Sequence, residues 1–138
     1  MKAISLWQPW ASAIALGHKR IETRGWSTRY RGPLAIHAAK KWTAEEREMS
    51  EMFETSYGLE GLSDPPRGCI VAIAELTSVR PTEHLTDTIS EIEEMLGNYG
   101  PGRFGFMLEN VRRLSDPLLY RGMQGFFEVP DEMLAGRY

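Results

Sequence analysis

Between Gly17 and Arg24 the chain places one lysine, two arginines and a carboxylate: Gly17-His18-Lys19-Arg20-Ile21-Glu22-Thr23-Arg24. Just upstream, Ser5-Leu6-Trp7-Gln8-Pro9-Trp10-Ala11 adds two tryptophans, and Trp26 follows two residues after Arg24. Cations neutralise a phosphate, indole rings stack on a base, and a carboxylate accepts from an exocyclic amine, which together are the requirements for holding an unpaired nucleotide. Arg24 offers a planar fork of donors suited to a phosphate or a guanine edge, whereas Lys19 offers a compact point charge. The three histidines His18, His37 and His84 and the lone Cys69 show no zinc-like spacing, so neither a metal nor a cofactor is expected.

Charge is distributed unevenly along the chain. Residues 1–44 hold eight Lys or Arg against one acid, Glu22, although the formal net charge of all 138 residues is -3. The acids concentrate in Glu45 to Glu60 and Glu83 to Glu94. A basic first third can capture a polyanion while the acidic remainder maintains solubility, although two ordinary solvated surfaces would give the same count. At 42% apolar and 25% charged the chain fits one domain, 1–138, with its own core. Cys69 lies in the apolar run Cys69-Ile70-Val71-Ala72-Ile73-Ala74 and reads as a small buried hydrophobe in a reducing compartment. No apolar run reaches the roughly 20 residues that cross a bilayer. Nor does the start at Met1 show a signal-peptide pattern, so a cytoplasmic location is expected, with no membrane and no obligate protein partner.

The elements that must position these side chains follow from periodicity. Ala3 to Trp7 reads as a strand, and Pro9 opens a helix through Trp10, Ile14 and Leu16 that Gly17 can end. Lys19 to Trp26 reads as extended, with Glu22, Arg24 and Trp26 sharing one face by the period of two. Lys19 has the opposite parity and joins them only if it precedes the regular strand or sits at a bulge. Leu34 to Ala39 is a second strand in which His37 faces away from Leu34 and Ile36. Thr43 with Glu46 forms a capping-box pattern ahead of a helix over 43–56 whose Met49, Met52, Phe53 and Tyr57 are expected in the core. Cys69 to Val79 is a buried central strand. A second acidic helix spans Leu85 to Leu96 with a solvated charged surface, a strand runs from Phe104 to Val111, and another from Phe126 to Val129. The glycine-rich Asn98 to Phe106 lacks the closing Gly-Lys-Ser/Thr of a phosphate loop. About six strands and about three helices without regular β-α repetition indicate an α+β fold, a small mixed β-barrel.

The octet starting at Gly17 resembles the Gly-x-Lys-x-x-Glu-x-Arg signature of the ASCH domain, a small β-barrel family similar to PUA domains. Further resemblance lies in Ser5 to Ala11, in Tyr30-Arg31-Gly32-Pro33-Leu34-Ala35-Ile36-His37-Ala38-Ala39-Lys40, and in Gly122-Met123-Gln124-Gly125 ahead of Phe126. The resemblance implies a PUA-like fold with Lys19, Glu22 and Arg24 lining a cleft between the barrel and the helix that begins at Pro9. It also implies RNA or another single-stranded nucleic acid as partner, including an unpaired or modified nucleotide. The expected contact set is Trp7, Gln8, Pro9, Trp10, Lys19, Arg20, Glu22, Arg24, Trp26 and His37, with one of Trp7, Trp10 and Trp26 stacked on a base.

A hydrolase is the alternative, since some relatives resemble nucleases or amidohydrolases acting on acetylated cytidine. Lys19 and Glu22 would then be catalytic, with Glu22 as base and Lys19 or Arg24 stabilising an oxyanion, on an RNA phosphodiester or an N-acylated nucleoside such as N4-acetylcytidine. The amidohydrolase-like relatives carry a threonine nucleophile where this chain has Glu22. A structural ion pair between Glu22 and Arg24 or Lys19 is the plainest account of the same residues. His37 beside alanines reads as a structural histidine unless it reaches the cleft.

Overall fold

The apolar run that starts at Cys69 becomes the interior of a six-stranded mixed sheet in the computed structural model, which describes residues 1–138. The strands are β1 (Lys2–Leu6), β2 (Ile21–Arg24), β3 (Gly32–Ala38), β4 (Cys69–Pro81), β5 (Phe104–Leu119) and β6 (Phe126–Glu128). They lie in the order β2-β5-β4-β3-β1-β6, and β1 and β3 alone pair in parallel. Residues 69–74 of β4 can be apolar at every position because both faces of the strand are covered there. Leu34, Ile36, Leu76, Phe106 and Leu108 pack with Ile14 on one face, and Ala35, Ile70, Ile73, Leu114 and Phe127 pack with Leu134 on the other.

Three register shifts between β4 and β5 bend the long strands, as bulges do. The curl brings the two edges of the sheet toward each other. Side chains close the seam: Arg24 Nη2 donates to the Ser5 carbonyl at 2.8 Å, joining β2 to β1. Trp26 stands edge-on to both Phe106 and Phe126, each 5.2 Å away between ring centres. This is the expected α+β, PUA-like architecture, a curled half-barrel whose closure relies on side chains instead of backbone pairing.

Four helices flank the sheet: α1 (Trp10–Ala15), α2 (Ala44–Tyr57), α3 (Glu91–Met95) and α4 (Asp131–Leu134). Gly17, at φ +85°, ends the α1 segment. The capping box forms, with Glu46 Oε1 accepting from the Thr43 amide at 3.0 Å. Of the expected helix from Leu85 to Leu96 only the short α3 is helical; a turn of 3-10 helix at Thr82–His84 precedes the span, and residues 85–89 form turns and a bend. Thr88 Oγ1 donates to the Leu85 carbonyl, and Ser90 Oγ accepts from the Glu93 amide, so polar side chains divert the backbone and start a new helix. α4 was not expected; its four residues follow Pro130 and are held by buried Leu134. Met52 and Tyr57 depart from their expected burial. Of the four residues expected in the core, only Phe53 is fully buried; Met49 packs half-buried beside it, while Met52 is 41% and Tyr57 48% exposed.

Candidate nucleic-acid cleft

After α1 the chain turns back on itself, with the amides of His18 and Lys19 both bonded to the Ala13 carbonyl at 2.8 and 3.0 Å. Lys19 therefore precedes β2, and the parity that would have sent it away from Glu22 does not apply. Its ammonium is enclosed at 1% exposure, donates to the Leu96 carbonyl at 2.8 Å and lies 3.6 Å from Glu22 Oε1. Burial pushes the Lys19 pKa below the usual lysine value, and the carboxylates of Glu22 and Glu93 oppose that shift. The other Glu22 oxygen accepts from Arg24 Nε at 2.9 Å. One carboxylate thus joins two cations.

β2 is held in place by a residue of the supposedly solvated acidic segment. Glu93 is buried, and its two oxygens accept from the amides of Arg20 and Ile21 at 2.8 and 3.3 Å. A carboxylate bonded to two backbone amides satisfies donors at a strand start that would otherwise be unpaired.

Beside the Glu22–Arg24 pair opens a cleft of 1710 Å³, larger than the usual small-ligand pocket. One side carries Trp10 of α1 and Met49, Met52 and Phe53 of α2, so the second helix supplies more of that side than the helix after Pro9. The continuous segment 119–125 lines it as well. Among the lining residues Glu22 is the only carboxylate, and it is already paired. Lys40, Arg103 and Arg121 also line the cleft, and none of them forms an ion pair. Arg103 is positioned by the carbonyls of Asn98 and Thr23 at 3.0 and 3.2 Å.

The structure brings all three predicted tryptophans to this cleft. Trp7 is 54% exposed, with the Lys41 ammonium 3.4 Å from its ring centre. Trp10 is half-buried against Phe53, and Trp26 is the half-buried seam residue.

Four of the predicted residues do not line the cleft. Gln8 is fully buried and uses its amide as a bracket: Nε2 donates to the Pro66 carbonyl and to Ser12 Oγ, and Oε1 accepts from the Ser12 amide. Pro9 is buried at the start of α1. Lys19 lies behind Glu22, and exposed Arg20 lines a separate cavity of 790 Å³ with Ser90 and Asn110.

His37 does line the cleft, although it is 2% exposed. Its Nε2 is 2.7 Å from the Tyr120 carbonyl and its Nδ1 is 2.8 Å from Ser5 Oγ. A register shift between Ile36 and His37 aims the ring. Gly122 lies so near that a Cβ there would stand 2.6 Å from His37 Cε1 and 3.0 Å from Ser5 Oγ. Sequence reasoning missed Ser5, Lys40, Arg103 and Arg121 as lining residues. The available signal was modest: Ser5 is a polar residue interrupting an apolar strand, and Arg103 and Arg121 each stand next to a glycine. No three His, Cys, Asp or Glu side chains converge on a metal-sized site.

The family model described as the ASCH domain matches residues 4–118. Activating signal cointegrator 1 of Homo sapiens and that of Mus musculus are each 32% identical over 96 residues, covering 66% of this chain. The match spans 16% of either relative. Among solved structures, the ASCH protein from Zymomonas mobilis aligns over 96% of this chain and 89% of its own with a TM-score of 0.59 at 16% identity. A mutant of that protein aligns with the same TM-score over 91% of its length. At that identity the likeness shows a shared fold.

Proposed function

Because this chain belongs to the ASCH domain family, we propose that its cleft binds single-stranded RNA or an unpaired nucleotide, a modified one included. The observation that carries this reading is the charge of the lining. Glu22 is neutralised by Arg24 and Lys19, leaving Lys40, Arg103 and Arg121 as unpaired cations around an opening that also presents three indole rings. Phosphates supply the complementary charge and bases supply the rings to stack. A volume of 1710 Å³ leaves room for more than a single base.

The test is titration of labelled single-stranded RNA, matched DNA and duplex across a salt series. Affinity should fall steeply with salt, and Arg121→Ala or Lys40→Ala should each weaken binding and reduce the salt slope by about 1. A flat salt response in the wild type would sink the reading.

Chromatography of the same mixtures, with N4-acetylcytidine added, examines the hydrolase alternative. The placement of Glu22, the one carboxylate that lines the cleft, is the observation that favours it, since the water-activating base must reach the bound substrate. Product that disappears with Glu22→Gln would replace binding by catalysis as the function.

A further inference from the structure

The four tryptophans of the chain divide into two kinds. Trp10 and Trp26 pack against the buried clusters, whereas Trp7 and Trp42 pack against none of them. Trp7 lines the cleft, but Trp42 lines neither the cleft nor the cavity beside Arg20. It is half-buried, and the Arg67 guanidinium carbon lies over its ring, 4.4 Å from the centre. Core packing therefore does not account for this indole.

Nor is the Trp42–Arg67 pair needed to hold its two loops together. The Gly68 amide donates to the Ala38 carbonyl at 2.7 Å, the Ala39 amide to the Leu6 carbonyl at 2.8 Å, and Gln8 Nε2 to the Pro66 carbonyl at 2.6 Å. These bonds already fasten segments 66–68 and 38–39 to each other and to residues 6–8. On this fixed rim, indoles and cations alternate. Trp7 stands at the cleft, the Lys41 ammonium lies 3.4 Å from its ring centre, Trp42 follows Lys41 in sequence, and Arg67 covers Trp42. Lys40 lies against Gly68, where a Cβ would stand 3.0 Å from its Cγ, and it lines the cleft as well, so it connects the cleft to the rim. Two acids face these cations: Glu46 is 3.9 Å from Lys41, and Asp64 is 2.9 Å from Arg67. Asp64 is exposed, and solvent screens its hold on Arg67.

We propose that a nucleic-acid strand bound in the cleft continues over this rim, and that Trp42 with Arg67 forms a second base-stacking station outside it. This rests on the nucleotide-binding reading given above and extends its footprint. Single strands are held by aromatic planes that take successive bases and by cations that follow the backbone, and a guanidinium plane stacks on a base as an indole does. Trp7 takes a base at the cleft, Lys40 and Lys41 lie along the adjoining phosphates, and the Trp42–Arg67 pair takes a base farther along. A duplex cannot use the station, because its bases are already stacked on one another.

The experiment measures binding of oligouridines from about two to about ten nucleotides long, within the range of single-strand site sizes, by fluorescence anisotropy. Wild-type affinity should rise with length until the rim is covered and then level off. Trp42→Ala should leave the shortest oligomers unaffected and bind the longer ones about 5- to 150-fold more weakly, the loss of one stacked base. Trp42→Phe, which keeps a ring, should recover most of that loss, and circular dichroism would verify that both variants are folded. A second measurement needs only the wild-type chain: in the shortest oligomer that reaches the plateau, an abasic terminal nucleotide at one of the two ends should lower affinity by a similar factor. Equal losses on short and long oligomers would make Trp42 a support of the cleft, and no loss at any length, or indifference to the base at both ends, would make the pair a surface contact only. Each of these results overturns the proposal. Absence of salt-dependent binding at every length overturns the parent reading instead.

Discussion

The Lys19 ammonium occupies a position where charge is costly. It has lost its water, and it regains one carbonyl bond at 2.8 Å and a carboxylate at 3.6 Å. Such a pair contributes little net stability when complete, because desolvation offsets most of the attraction, but removing one partner leaves the other charge uncompensated. Lys19→Ala should therefore destabilise the fold by about 3–5 kcal/mol, the usual cost of breaking a buried pair, as read from urea denaturation. Arg24 still neutralises part of Glu22, which favours the lower end. A variant that kept wild-type stability but lost one unit of salt slope in RNA binding would instead put the ammonium on the ligand. The plain ion-pair account and the binding account thus describe two parts of one cluster, in which Lys19 secures Glu22 and Glu22 with Arg24 forms the floor.

His37 links elements that do not pair as strands. Its ring spans from Ser5 of β1 to the Tyr120 carbonyl after β5, and segment 120–125 passes over it at Gly122. Burial pushes its pKa below the ordinary 6.5. The unfolded chain then binds the proton more tightly than the folded one. Stability from this site is complete above about pH 6.5 and is lost as pH falls through the lowered folded value. The stability gap between wild type and His37→Gln, measured by urea denaturation, should therefore narrow between pH 7.5 and pH 5, since carboxylate titrations are common to both chains and cancel. A gap independent of pH would rule out this account of His37.

The bond to Tyr120 also illustrates which features could be read in advance. Strand and helix identities in β1, β3, β4 and α2 were legible because periodicity and capping are local, and the Glu22–Arg24 pair was legible because its members share a strand face. The partners of Ser5 and Lys19 were not, since they depend on residues 32 and 77 positions away. Glu93 was misread for a related reason: in an acidic run nothing local distinguishes the carboxylate that turns inward.

At the scale of the whole molecule, the sheet is a curl whose closure and whose cleft share residues. The backbone ladder stops at β2 on one side and β6 on the other, and the gap is bridged by Arg24 and Trp26. The same two side chains line the cleft, with segment 119–125 leading into β6. Seam and cleft are therefore coupled. Trp26→Ala would remove the ring that packs edge-on to Phe106 and Phe126, and large-to-small changes of this kind cost roughly 3–5 kcal/mol. Because Trp26 is only half-buried, the loss should fall at the low end. The distribution of the effect distinguishes a seam from an ordinary core position. Amide exchange should accelerate most in β2 and β6, the two edges, while α2, which is held by Phe53 against Leu59, Leu62 and Leu96, keeps its protection. Uniform acceleration across the chain would mean that Trp26 supports the core as a whole and that backbone pairing alone holds the curl. Protection lost only at the edges, together with weakened RNA binding, would mean that this domain closes its barrel with the residues that form its binding surface.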